Sequence, residues 1–164
     1  MGKHQFYVCE WDVTIRRGEE ILSQYKKNNA LVDQGERLML ETFFRNENSP
    51  SDFFVGLAYG SMGESSTLDT IPGEPSGNGY GRITLNRDTT DFPTMEQDDG
   101  DWVVYTVEKV FEASGGSIGP VNLAFMGANI ADGTSRLVSY LSLPVETTMQ
   151  DGETLTFTLK IKAM

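Results

Sequence analysis

Thr154-Leu155-Thr156-Phe157-Thr158-Leu159-Lys160-Ile161-Lys162 decides the fold class. Successive side chains of an extended chain point to opposite faces, so Leu155, Phe157, Leu159 and Ile161 share one side. Thr156, Thr158, Lys160 and Lys162 share the other, which is the signature of a strand with one face on a core and one in water. Working back from it, residues 136–143, 120–126, 102–113, 80–87 and 53–59 read as further strands. So do residues 7–16, where Tyr7, Cys9, Trp11, Val13 and Ile15 alternate with Glu10, Asp12, Thr14 and Arg16. Turn signals separate the later strands: Asp98-Asp99-Gly100-Asp101, Ser114-Gly115-Gly116-Ser117, Asp132-Gly133-Thr134 and Asp151-Gly152-Glu153. Several short strands of this kind predict a mostly β fold, an antiparallel β-sandwich of jelly-roll or immunoglobulin-like type.

Three stretches break the pattern. Residues 17–28 are polar, with Ile21, Leu22 and Tyr25 as their apolar anchors, and read as a loop or short helix. Residues 30–44 switch to helical spacing, which predicts one amphipathic helix capped by Asn28 or Asn29 and burying Leu31, Leu38, Met39 and Phe43. Residues 60–79 are rich in glycine, serine and proline, and only Leu68 and Ile71 anchor them. A connection that long is expected to contact a neighbouring subunit and to be mobile in an isolated monomer. The expected organisation is one domain: a sandwich over residues 29–164, preceded by a strand or arm over residues 1–28 that pairs within the chain or crosses to a neighbour.

The chain has 164 residues, enough for one sizeable core, with 13 basic against 24 acidic side chains and a formal net charge of −11. That sign is wrong for gripping phosphate backbones or anionic lipid, so neither nucleic acid nor membrane is an expected partner. No run approaches the roughly 18 apolar residues of a membrane helix, and residues 1–10 lack a signal pattern. The expectation is synthesis in the cytosol without export. One cysteine, Cys9, forms no internal disulfide, and its phase with Trp11 and Val13 puts it on the buried side of a strand.

Candidate chemistry is thin. The sole histidine, His4, lies an odd number of residues from Cys9, which on a strand puts the two on opposite faces and argues against a nucleophile–base pair. Cysteine and histidine are too few for a metal site. Asp98, Asp99 and Asp101 do not match the spacing of a twelve-residue calcium loop and read as turn chemistry. Glu10, Glu74, Glu96, Glu108, Glu112, Glu146 and Glu153 offer carboxylate pairs for glycoside hydrolysis, but an acidic chain supplies such pairs by chance. Gly77-Asn78-Gly79-Tyr80-Gly81 lacks the next glycine of a phosphate loop and precedes a strand rather than a helix. It reads as a kinked strand entry in which Gly77 and Gly79 permit positive φ. Of the aromatic side chains that flank loops, namely Phe53, Phe54, Tyr59, Tyr80, Phe92 and Trp102, most are expected in the core and two or three at contacts. The reading is of a chain with no catalytic residues, no cofactor and no metal. Its candidate interface side chains are Tyr7, Trp11, Leu68, Ile71, Asn78, Tyr80 and Phe92.

Five stretches carry a family resemblance: Asn29-Ala30-Leu31-Val32-Asp33-Gln34-Gly35-Glu36; Phe53-Phe54-Val55-Gly56-Leu57; Glu74-Pro75-Ser76-Gly77-Asn78-Gly79-Tyr80-Gly81-Arg82; Thr89-Thr90-Asp91-Phe92-Pro93; and Phe111-Glu112-Ala113-Ser114-Gly115-Gly116-Ser117-Ile118-Gly119-Pro120-Val121. Together they resemble the small structural proteins of tailed bacteriophage virions. The resemblance runs from Asn29 to the C-terminus and contains no catalytic signature. It implies a non-enzymatic component of the head, neck or tail, located in the virion after assembly in the host bacterial cytoplasm. Homo-oligomerisation and binding to major capsid, neck or tail proteins are the implied partnerships. The alternative is a tail-associated sandwich that binds a host glycan or receptor through loops at one end.

Overall fold

A computed structural model describes residues 7–163, and the expectations for His4 and for the side chains of Tyr7 and Cys9 lie outside what it describes. Two antiparallel sheets face each other, and one helix packs against the edge strand of the second. Sheet A runs in the order β2 (Glu20–Ala30), β1 (Tyr7–Arg17), β10 (Glu153–Ala163), β6 (Asp101–Tyr105), β5 (Thr94–Asp98), with β7 (Lys109–Glu112) also on β10. Sheet B runs β4 (Ile83–Asn86), β3 (Pro50–Ala58), β8 (Ile118–Ile130), β9 (Ser135–Met149). The mostly β, sandwich-like reading holds.

The alternation of the C-terminal strand explains sheet A. Leu155, Phe157 and Leu159 of β10 stand beside Ile15, Val13 and Trp11 of β1, and all six are buried. They meet Val55, Leu57, Ala124 and Met126 of sheet B in one core. Residues 17–28, expected as loop or short helix, instead give the 11-residue strand β2, because Gly18 at φ 58° closes a tight hairpin and β1 offers a full edge. Strand β1 therefore sits between β2 and β10 of its own chain, and residues 7–28 belong to the sandwich rather than to a separate arm. The predicted segment 102–113 is two strands, β6 and β7. Strand β5 was not foreseen, because Thr-Met-Glu-Gln-Asp carries no apolar alternation.

Sheet B carries buried apolar side chains on both of its faces. Val55 and Leu57 point to the main core, whereas Phe54, Ala58, Leu123, Phe125 and Leu137 form a second cluster on the outer side. There each phenylalanine lies across from a glycine, Phe54 from Gly127 and Phe125 from Gly56. A Cβ on either glycine would come within 2.3 Å of the facing ring. Arg82 stacks its guanidinium over both rings, 5.0 Å from Phe54 and 5.4 Å from Phe125, and Glu74 grips it with two bonds of 2.8 Å.

Helix α1 spans Asp33–Phe44 and packs beside the edge strand β9, where Leu38 joins the main core and the preceding Val32 joins the outer cluster. Its start differs from expectation: Asn28 and Asn29 end strand β2, and Val32 occupies the cap position without a side-chain bond. The Val32 amide instead donates to the Val138 carbonyl at 3.0 Å, at a residue that a register shift leaves out of the β8–β9 ladder. Gly35 rests against that same carbonyl, where any Cβ would sit 2.4 Å away. The docked stripe is thus Gly35, Leu38 and Glu41. This rotates the helix relative to the expected phase: Met39 is half-buried, and Phe43 is 71% exposed instead of packed. Leu38→Ala should lower the unfolding free energy by about 2 to 5 kcal/mol. Phe43→Ala should change it by less than about 0.5 kcal/mol. Urea unfolding of both variants checks the phase of the helix.

Candidate functional site

The expected interface residues are mostly turned inward. Trp11 is fully buried with its ring 6.0 Å from Phe157, which makes it a core residue rather than a contact residue. Leu68 opens the 3-10 turn Leu68–Thr70 and Ile71 follows it, and both pack onto the outer cluster of sheet B. Phe92 meets Phe53 edge-on at 6.1 Å. Tyr80 stacks on Phe111 at 5.8 Å, accepts a hydrogen bond from the Leu57 amide at 2.9 Å and donates to Glu74 at 2.9 Å. Burial, with the Glu74 carboxylate beside it, pushes the Tyr80 hydroxyl far above the usual tyrosine range. Asn78 is exposed, but its amide donates to the Ser117 carbonyl at 2.8 Å, tying one loop to the next.

Those residues do bring one thing together: they fasten the long 60–79 connection. Gly60 and Asn122 exchange bonds of 2.8 and 3.0 Å, Asp33 donates to the Glu64 carbonyl at 2.9 Å, and the Tyr59 amide reaches Gly73 at 3.1 Å. Gly77, Asn78 and Gly79 all have positive φ, as the kinked-entry reading requires. The expectation of a mobile loop held by two apolar anchors therefore undercounts its polar ties.

Apolar surface lies elsewhere. On α1, Leu40, Phe43 and Phe44 follow one another at i, i+3 and i+4, opposite the docked stripe, and Phe44 is 84% exposed. On the β5–β6 hairpin, Met95 is 70% and Trp102 56% exposed. Trp102 was among the aromatic side chains singled out in the sequence, whereas Phe43 was assigned to the core. The adjacent pair Phe43-Phe44 was the available signal, since two consecutive helix positions do not both fit a narrow docked face.

A groove of about 340 Å³ opens between the start of β2 and the end of β9, with Ser23, Tyr25, Glu146, Thr147 and Thr148 on its walls. The Tyr25 hydroxyl is buried there without a hydrogen-bond partner among the described residues, and desolvation raises its pKa strongly.

The acidic side chains with the most partners are structural. Asp91 is buried, takes bonds from the Asn86 amide at 2.6 Å and Lys109 at 2.6 Å, and is held below the usual carboxylate range chiefly by Lys109. Glu153 is buried under Arg17 and accepts the Gln150 amide at 2.9 Å, which lowers its pKa most, with Arg17 adding to it. Asp98 and Asp101 are occupied by Lys160 and Lys162. Among the described residues no group of three or more acidic, histidine or cysteine side chains is arranged to hold a metal ion.

Both Asp91 and Glu153 have depressed folded-state values, so their contribution is whole above about pH 4 to 5 and is lost as pH falls through the folded values. Unfolding midpoints should hold steady from pH 7 to about 5 and drop below about pH 4. Lys109→Met, which strands the Asp91 charge, should cost about 3 kcal/mol at pH 7 and less in acid. Chemical denaturation at a series of pH values reads both.

Comparison with protein-family models, with curated proteins and with solved structures found no match to this chain.

Proposed function

We propose that the chain is a non-enzymatic structural component of a tailed-bacteriophage particle, a capsid decoration or a head-to-tail or tail accessory protein, that acts by binding other virion proteins. The observation that carries this reading is the stripe Leu40, Phe43 and Phe44. The helix is already docked through its opposite face, so these three side chains gain nothing in the monomer by being large and apolar. They present on the order of 400 Å² of apolar surface, as much as the largest patch of a typical monomer, where such patches often mark contact sites. The resemblance over residues 29–164 supplies the particle context. The net charge of −11 suits an exterior position away from packaged DNA.

A second reading, recognition of a host glycan or receptor, is favoured by the groove at Tyr25. Its hydroxyl and carboxylate walls, with an unpartnered phenol at the base, suit a polyhydroxyl ligand.

The triple change Leu40→Ser, Phe43→Ser, Phe44→Ser should leave the circular dichroism spectrum and unfolding midpoint near those of the parent. It should also weaken co-sedimentation with purified capsids or tails at least tenfold. Retained co-sedimentation would remove the stripe from the assembly surface. Saturable binding on a glycan array that Tyr25→Phe abolishes would favour the second reading.

A further inference from the structure

We infer that copies of this chain join edge to edge, strand β2 of one copy lying alongside strand β5 of the next, so that sheet A continues from copy to copy. The inference rests on the reading that the chain works by assembly, and it names a surface separate from the helix stripe.

Among the described residues sheet A ends in β2 on one side and β5 on the other, with no strand laddered beyond either, although the end of β2 runs close to β9, where Lys27 donates to the Ser142 carbonyl at 3.3 Å. The two edges carry opposite charge. Strand β2 bears Lys26 and Lys27, both exposed, and β5 bears Glu96 and Asp98 and leads into Asp99. Neither strand contains a proline among its residues. Pairing the lysine-bearing part of β2 with its own copy would set lysines against lysines, and β5 with β5 carboxylates against carboxylates, both unfavourable directly across a ladder; a β2 pair escapes this only in a register that sets Lys26 opposite Glu20. Pairing β2 with β5 sets opposite charges together.

Direction and facing agree with this choice. Each neighbouring pair along β2-β1-β10-β6-β5 is antiparallel, so β2 and β5 run the same way and a head-to-tail junction is a parallel one. Lys26 pairs with Asp12 on the water face of sheet A, and Glu96 pairs with Val103, which pairs in turn with Lys162 on that same face. A register that sets Lys26 beside Glu96 therefore keeps both on one side. It also sets Tyr25 beside Met95 on the core side, where Met95 is 70% exposed in the single chain. Lys26 holds Asp12 only at 3.5 Å with its side chain 64% exposed, so it is free to turn toward a new carboxylate. The net charge of −11 opposes association at long range. At about 0.15 M salt the screening length is about 8 Å, longer than the roughly 4.8 Å between paired strands, so the local attraction survives while distant repulsion fades. Such a heterologous junction closes into a ring or extends as a filament.

The test is sedimentation velocity of the full chain over a range of concentrations at physiological salt, with Trp102 fluorescence followed in parallel. The parent should associate as concentration rises, with the Trp102 emission shifting to the blue. Lys26→Glu and Glu96→Lys should each weaken association at least tenfold while keeping the parent's circular dichroism spectrum. An equimolar mixture of the two single variants, and the double variant, should recover it. A chain that stays monomeric at every concentration overturns the inference, as does association that either reversal leaves untouched or that mixing fails to restore. If either reversal fails to fold, Gln24→Glu and Thr94→Lys, which the same register sets side by side on the water face, take their place with the same outcomes. Self-association without co-sedimentation on particles would leave the junction standing and remove the virion reading, and co-sedimentation by a strict monomer would do the reverse.

Discussion

Strand β10 carries ladder bonds on both edges, β1 along one and β7 and β6 along the other, while its core face supplies Leu155, Phe157 and Leu159 to the main core. A one-residue slip would turn those three outward and Thr156, Thr158 and Lys160 inward, so burial fixes the register of sheet A. Everything on that sheet is placed by it. The N-terminal strand has its full-length partner in β10, and β2 has a partner in turn only because β1 is already fixed. The break between β7 and β6 lets Thr106 exchange bonds with Leu159 through both its amide and its hydroxyl, at 2.9 Å each, where the chain leaves one strand for the next.

Sheet B solves a different problem. With apolar side chains on both faces of β3 and β8, it needs cover on the outside, and Met62, Leu68 and Ile71 of the 60–79 connection provide it together with Val32. The glycines at 35, 56 and 127 set how near neighbouring groups can come: one seats the helix on a carbonyl, and two leave room for facing rings. The pairing of Arg82 with Glu74 then roofs the rings with a charge that is itself neutralised. Docking through Gly35, Leu38 and Glu41 leaves the rest of the helix circumference to solvent, which is why Phe43 and Phe44 are available at all.

What was legible in the sequence followed from period-two burial. Strands with one wet face, β1 and β10 above all, announce themselves because their polar and apolar residues alternate. Strand β3 was also found, from Phe53, Val55 and Leu57, but the reason that Phe54 is apolar, a second buried face, needs the path of the 60–79 connection to be known. Strands β2 and β5 were missed because edge strands with polar or charged residues satisfy no burial pattern, and their identity is set by the neighbour they pair with. The helix was recognised and its phase was not, since Gly35 at the point of closest approach reads as a weak helix residue rather than as the contact. The candidate surface suffered from the same limit. Aromatic side chains near loops are visible in sequence, but whether Trp11 or Trp102 is the exposed one depends on which strand lies in the middle of the sheet.

Strand β1 begins opposite the end of β10, Tyr7 beside Ala163, so the two ends of the described chain leave the sandwich at the same pole. A pull that separates them loads the β1–β10 ladder at its open end, and the bonds yield one after another like teeth of a zip rather than sharing the force. Such a geometry resists little tension between its ends. Mechanical load that this molecule withstands has to enter and leave through its flanks, with the terminal pole kept slack.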